Sequence, residues 1–188
     1  MADILLGVTG SIAAYKAADL ANSLCKSGHT VHVVMTRNAT RFIAPLTFRT
    51  LTKRPVYTDS FDEAQPFDVE HIGLAKLADV LVIAPASANI IGKLAAGIAD
   101  DLLSTVAMAA WRKPALLCPA MNTAMYESPS VTANLETLQA RGMGIVEPRE
   151  SLLACGDLGK GALAETERIL AAVEGLLAAG LVGQGVKA

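Results

Sequence analysis

Five short apolar runs, each followed by a helical pattern, constrain this chain more than any other feature. They are DILLGV (3–8), TVHVVM (30–35), DVLVIAPA (79–86), KPALLCPAM (113–121) and MGIVEP (143–148). Each is too short for a typical helix. Most are apolar nearly throughout instead of alternating, as in strands covered on both faces. Between them the pattern changes to a helical period. Residues 9–28 read as a turn and a helix stopped by Gly28, and 36–57 as two short helical segments, broken by Pro45 and ended near Pro55. A short helix starts at His71. Residues 87–111 are helical with a break near 97–100, 128–142 form a helix stopped at Gly142, and 165–180 close the pattern as an amphipathic helix. The acidic stretch 58–70 reads as a surface loop.

Strands alternating with helices predict a parallel sheet with helices on both faces, and right-handed crossovers make it doubly wound. The 188 residues suit one α/β domain, and the 52% apolar, 4% aromatic composition fits buried parallel strands. The net charge of −2, with no basic stripe, argues against nucleic acid as a partner. No apolar run reaches the roughly 18 residues of a membrane span. Cys25, Cys118 and Cys155 are odd in number and lack metal-ligand spacing, so neither a disulfide framework nor a metal site is expected, and a reducing cytoplasm is the simplest setting.

In doubly wound sheets ligands bind beyond the carboxyl ends of the strands. That rule marks Thr9–Ser11, Thr36–Asn38, Pro85–Asn89 and Pro119–Met125, where small or polar residues follow apolar strands. GVTGSIAAYK (7–16) places Gly10 and Ser11 where a strand yields to a helix, which is either an anion site or an ordinary capped turn. It is not a GxGxxG motif, so a dinucleotide is not favoured. APASANIIGK (84–93) repeats the arrangement with Ser87 and Ala88, and two such turns together favour a phosphorylated cofactor. CPAMNTAMY (118–126) puts the Asn122 amide between Met121 and Met125; taken alone it reads as a turn asparagine with two core methionines. His71 is either a base near neutral pH or a structural histidine, and His29 and His32 read as structural. Cys25 and Cys118 read as small core residues. SLLACGDLGKGALAE (151–165) holds Cys155 among Gly156, Gly159 and Gly161. So much glycine suggests neither helix nor stable strand but a loop able to close. Asp157 would raise the Cys155 thiol pKa, which suits a proton donor more than a resting thiolate.

These stretches together resemble the flavin-dependent cysteine decarboxylases. GSIAAYK, HIGLAKLADVLVIAPASANIIGKLAAGIADDLL, PAMNTAMY and LACGDLGKG stand in that family's order, over about residues 3–178. PAMNTAM matches its P-x-M-N-x-x-M signature. ACGDLGKG matches the substrate clamp of the branch acting on 4′-phospho-N-pantothenoylcysteine. The resemblance implies a flavodoxin-like three-layer α/β/α sandwich holding FMN, in homotrimers or in dodecamers of trimers with FMN between subunits. In bifunctional members of coenzyme A biosynthesis a CTP-dependent synthetase domain follows the decarboxylase. On that pattern residues 1–179 form the decarboxylase domain, and 180–188 a linker or the start of such a domain.

The implied reaction gives 4′-phosphopantetheine and carbon dioxide. The flavin oxidises the substrate thiol so that the carbanion left by decarboxylation delocalises onto sulfur as an enethiolate. The enethiol is then reduced by the reduced flavin and protonated. By the same resemblance His71 assists oxidation and decarboxylation, Cys155 donates the final proton, and Asn122 holds the substrate carboxylate beside Met121 and Met125. Gly10, Ser11, Ile12, Thr36, Pro85, Ala86, Ser87, Ala88 and Ala120 fall at cofactor-contacting positions. Two residues depart from the pattern: Tyr126 replaces the usual tryptophan, and Ala162 stands where a basic residue is common. Lys160 is the substitute expected to supply that charge to the substrate. A peptidyl-cysteine decarboxylase would release the enethiol and need no Cys155. A flavin prenyltransferase would lack PAMNTAM. A non-enzymatic flavin-binding regulatory subunit would usually carry acidic extensions, and a plain electron carrier would need neither His71 nor Cys155.

Overall fold

A computed structural model describes residues 1–60, 70–154, 156 and 158–184. Six strands pair in parallel: β1 (Asp3–Val8), β2 (Thr30–Met35), β3 (Val56–Tyr57), β4 (Val80–Ala86), β5 (Ala115–Pro119) and β6 (Gly144–Ile145). Their spatial order is β3-β2-β1-β4-β5-β6. The reversal of direction beside β1 is the doubly wound switch point expected from the sequence.

The two faces of the sheet explain why the strands are apolar throughout. Ile4, Leu6, Val8, Val33, Val82 and Cys118 face one buried cluster, which α1 (Lys16–Lys26), α2 (Pro45–Thr52) and the C-terminal helix cover with Leu20, Phe48 and Ile169. Their neighbours Leu5, Val34, Leu81, Ile83 and Leu117 face a second cluster. That cluster is covered by α3 (Glu70–Leu77), α4 (Ala88–Ala96), α5 (Leu102–Ala109) and α7 (Pro129–Ala140). Between β5 and α7 lies a single-turn helix, α6 (Thr123–Tyr126). With a side-chain period of two and an apolar layer on each side, the strand interiors are apolar except at His32 of β2, which is buried with Asp3 as its partner. The helices thus form the outer layers of a three-layer α/β/α sandwich.

Local signals set several element ends. Gly28 and Gly142 have φ of +87° and +91° just beyond α1 and α7, a left-handed conformation that favours glycine. The break near 97–100 is real. Gly97 ends α4 at φ +72°, and Asp101 starts α5 with a reciprocal Asp101–Ser104 capping box. Lys93 Nζ lies 2.6 Å from both Asp100 and Asp101 and holds the turn. Burial would raise the Asp101 pKa, but the Lys93 ammonium and the Ser104 donors outweigh it and hold the carboxyl below its usual range.

The two short helical segments expected around Pro45 are present: a 3₁₀ turn at Ala39–Arg41, then α2, which holds Pro45 in its first turn, where the missing N–H costs nothing. Three expectations need correction. Residues 56–57, read only as the end of a helical region, form the edge strand β3. Helix α3 begins at Glu70, one residue before His71. The largest correction concerns 151–165. Strands β7 (Arg149–Leu152) and β8 (Leu158–Ala162) form an antiparallel hairpin outside the main sheet.

The β8 glycines answer to packing. A Cβ on Gly161 would collide with the Met121 carbonyl oxygen, and one on Gly159 with the Thr123 hydroxyl. Helix α8 (Thr166–Gln184) continues past residue 180. Of the acidic stretch 58–70, residues 61–69 lie outside the described residues, as do Cys155, Asp157 and 185–188. Among the described residues no helix is long and apolar enough to cross a membrane.

Candidate active site

The carboxyl ends of β1, β4 and β5 are tied together by two hydroxyls. Thr9, almost fully buried, donates to the Pro85 carbonyl at 2.7 Å and accepts the Ser87 backbone N–H at 2.9 Å. Ser11 donates to the Ala120 carbonyl at 3.2 Å and accepts from the Ala13 N–H at 3.3 Å, capping the 3₁₀ turn Ile12–Tyr15 that leads into α1. The turns TGS and PAS therefore form one joined device. Gly10 is required because a Cβ there would press on Asn38.

These turns open onto a cleft of about 510 Å³. Gly10, Ser11, Ile12, Ser87, Ala88 and Ala120 form its base, and Met121, Asn122 and Met125 one wall. The hairpin closes another side with Arg149, Ser151, Leu152, Leu153, Gly161 and Ala162, and Tyr15, Lys16 and Phe42 are also among the lining residues. Asn122 caps α6, its Oδ1 accepting the Ala124 N–H at 2.8 Å. The Met121 N–H donates to the Gly161 carbonyl at 3.0 Å and fixes the hairpin to this wall. A second cavity of about 540 Å³ opens at the amino ends of β4 and β5, lined by Leu81, Trp111 and Met143 among others. It contains none of the sequence-nominated residues and lies at the end of the sheet away from the strand-end turns, so the smaller cleft is the candidate site.

The remaining sequence-nominated residues lie elsewhere. Thr36 continues the β1–β2 ladder, donating its N–H to the Val8 carbonyl at 3.0 Å. Pro85 and Ala86 belong to β4, behind the cleft wall. His71 is half-buried in the first turn of α3 and does not line the cleft of its own chain. Lys160 is engaged: its Nζ donates to Glu147 Oε2 at 2.6 Å and sits 5.4 Å from the centroid of the Tyr126 ring. Tyr126 donates to the same Glu147 oxygen at 2.7 Å. The Lys160 hydrogen bond, with help from Tyr126, holds the Glu147 carboxyl below its usual range, whereas burial and the Glu147 charge push the Tyr126 phenol up. His32 pairs with Asp3 at 3.0 Å and His29 with Glu174 at 2.8 Å, as structural histidines do. Burial pushes the Cys118 thiol up to about 12, consistent with a core residue. Reading the sequence missed Phe42, Arg149 and Leu152, which reach the cleft only through the tertiary fold. Tyr15 and Lys16 lie within a quoted motif that assigns them no role.

The lining suits a flat ring with an anionic tail. Small residues at Gly10, Ser87 and Ala88 permit close approach of a ring to the backbone. Ile12, Met121 and Met125 offer apolar faces, and Lys16 adds a positive charge to the lining. The fit to a flavin nucleotide is therefore chemical as well as topological.

The sheet order and this cleft define a flavin-binding α/β protein. The Flavoprotein family model matches residues 1–178, and the chain belongs to that family. A probable phosphopantothenoylcysteine decarboxylase of Streptococcus mutans is 48% identical over 172 residues, covering 91% of this chain and 96% of the relative. The coenzyme A biosynthesis bifunctional protein CoaBC of Bacillus subtilis is also 48% identical over 172 residues, covering 92% of this chain. The match spans only 42% of that longer relative. Among solved structures, a PPC decarboxylase mutant complexed with pantothenoylaminoethenethiol superposes with a TM-score of 0.82 at 35% identity, covering 92% of this chain and 96% of that one. The FMN binding protein AtHal3 gives 0.80 at 36% identity, covering 92% and 95%. The resemblance read from the four motifs is thereby borne out.

Proposed function

We propose that this chain is an FMN-dependent decarboxylase that converts 4′-phospho-N-pantothenoyl-L-cysteine to 4′-phosphopantetheine in coenzyme A biosynthesis. The observation that carries this reading is the meeting of PAMNTAM with the two strand-end turns around one cleft. Held by these turns, a bound flavin would supply reversible two-electron redox chemistry at the substrate thiol, so that decarboxylation would not leave an unstabilised carbanion.

The protein's own part is positioning. Gly10, Ser11, Ser87 and Ala88 hold the cofactor. Asn122 orients the carboxylate with a neutral amide. Such a contact does not oppose loss of the charge, as an ionic partner would. Leu152 and Leu153 help keep water out. Cys155 is assigned the final proton transfer, from its sulfur to the enethiol carbon. His71 is assigned a role in the earlier steps. His71 does not line its own cleft, and on the proposed homotrimer, alone or within a dodecamer, a second copy would present it. A synthetase domain, fused or separate, would complete the pathway step upstream, with residues 180–188 as the proposed linker or domain start.

A mass spectrum of the product tests the reading. Purified flavin-loaded protein and the phosphorylated substrate should yield a product lighter by carbon dioxide alone. Loss of carbon dioxide plus two hydrogens would mean that the enethiol is released, as a peptidyl-cysteine decarboxylase would do. An unchanged substrate would favour a flavin-binding regulatory role.

A further inference from the structure

We propose that Arg149 is the specificity residue that reads the phosphomonoester of the substrate, a proposal that rests on the decarboxylase reading above. Among the described residues the cleft is lined by two charged side chains, Lys16 and Arg149, and by no carboxylate. A cleft with only cations on its walls is built for two anionic groups or for one dianion. Lys16 begins α1, next to the Gly10–Ser11 turn that serves the cofactor. Arg149 lies across the cleft on β7, in register with Ala162 of β8. Both residues of that pair line the cleft, so the small Ala162 side chain leaves the guanidinium room there.

Two observations separate Arg149 from Lys160, the residue the sequence nominates. The Lys160 ammonium is held by Glu147 at 2.6 Å against the Tyr126 ring and does not line the cleft. Arg149 Nε lies 2.8 Å from Glu165 Oε1, yet this buried nitrogen has no aligned acceptor for its hydrogen. The ion pair is close in distance but not in angle. Glu165 is 61% exposed, so it orients the guanidinium without consuming its donors. The planar fork that remains matches a phosphate in bidentate fashion.

Chemistry decides which anion is read. The substrate carboxylate is lost in the reaction, and an arginine on it would stabilise the ground state most. The phosphate does not react, so binding it strongly holds the substrate without opposing the chemical step.

The test compares 4′-phospho-N-pantothenoylcysteine with its dephosphorylated form in the wild type, Arg149→Ala and Arg149→Lys. Calorimetry with unreactive 4′-phosphopantothenate and a measurement of bound flavin accompany the kinetics. Arg149→Ala should raise KM for the phosphorylated substrate by about 10- to 100-fold, the size of a lost charged hydrogen-bonding pair. It should leave the dephosphorylated substrate and the flavin content unchanged, and Arg149→Lys should recover part of the loss. Equal losses on both substrates would show a structural role and overturn the proposal. Loss of flavin would assign the guanidinium to the cofactor phosphate and overturn it as well. If the wild type turns over neither substrate, the decarboxylase reading fails and calorimetry alone decides. Arg149-dependent binding of phosphopantothenate would then still support the site, and its absence would sink it.

Discussion

The base of the cleft and its hairpin wall are built on opposite principles. The base is the end of a buried parallel sheet. Its polar groups are paired inward: Thr9 joins residues 76 positions apart, and Ser11 joins residues 109 apart. The hairpin lies outside the main sheet. Among the described residues it is held by the main-chain bond from Met121 to Gly161, by two glycines in close contact, by the Arg149–Glu165 ion pair and by the half-exposed Glu147–Lys160–Tyr126 cluster. A buried hydroxyl that loses its partner costs its full desolvation, whereas a half-exposed charge is rescued by water. The base is therefore stiff by burial. The hairpin is adjustable, and the two glycines are where it tolerates least.

The sharpest way to break this comparison is Gly161→Ala. Its new methyl meets the Met121 backbone oxygen, which has no side-chain rotation to escape by. The hairpin must shift by the order of 1 Å, and turnover should fall by about 100-fold while the main fold persists. Steady-state kinetics beside circular dichroism would check both halves of that statement. On the base, Thr9→Val should cost about 2 kcal/mol in denaturant unfolding and loosen flavin retention, because it leaves the Ser87 N–H and the Pro85 carbonyl unpaired. Thr9→Ser should recover most of that loss.

Gly159→Ala tests whether the hairpin contact is a backbone or a side-chain limit. Its methyl meets Thr123, a side chain that can move, so the cost should be about 1 kcal/mol. Adding Thr123→Ala should remove that cost, and a double-mutant cycle in unfolding free energy measures it. The smallest effect belongs to Glu147→Gln, about 0.5 kcal/mol, since Glu147 and Lys160 are more than two-fifths exposed. Its pH dependence is more telling than its size. The Glu147 carboxyl is held low in the folded state, so its contribution is complete above the ordinary carboxylate range and is lost as pH falls through the lowered value. Thermal melts between neutral pH and pH 3 should show the gap between wild type and Glu147→Gln closing in acid.

What the sequence by itself determined is the set of features governed by near neighbours. Short apolar runs foretold β1, β2, β4, β5 and β6. Gly28 and Gly142 foretold helix ends, and glycine with aspartate foretold the break near 97–100. The turns at Gly10–Ser11 and Ser87–Ala88 and the Met121–Met125 wall were also legible, because strand ends collect ligands wherever a parallel sheet reverses. Only the tertiary structure decided the rest. A hairpin rich in glycine looks like a loop until the backbone that its glycines must clear is known to lie beside it. Nothing near Arg149 in the chain marks it as a cleft residue, since its place depends on Ala162 across the hairpin. Lys160 looked available until Glu147 and Tyr126 were seen to hold it. Local propensity is fixed by a few covalent neighbours, whereas the partner of a charge is chosen by the packing of elements far apart in sequence.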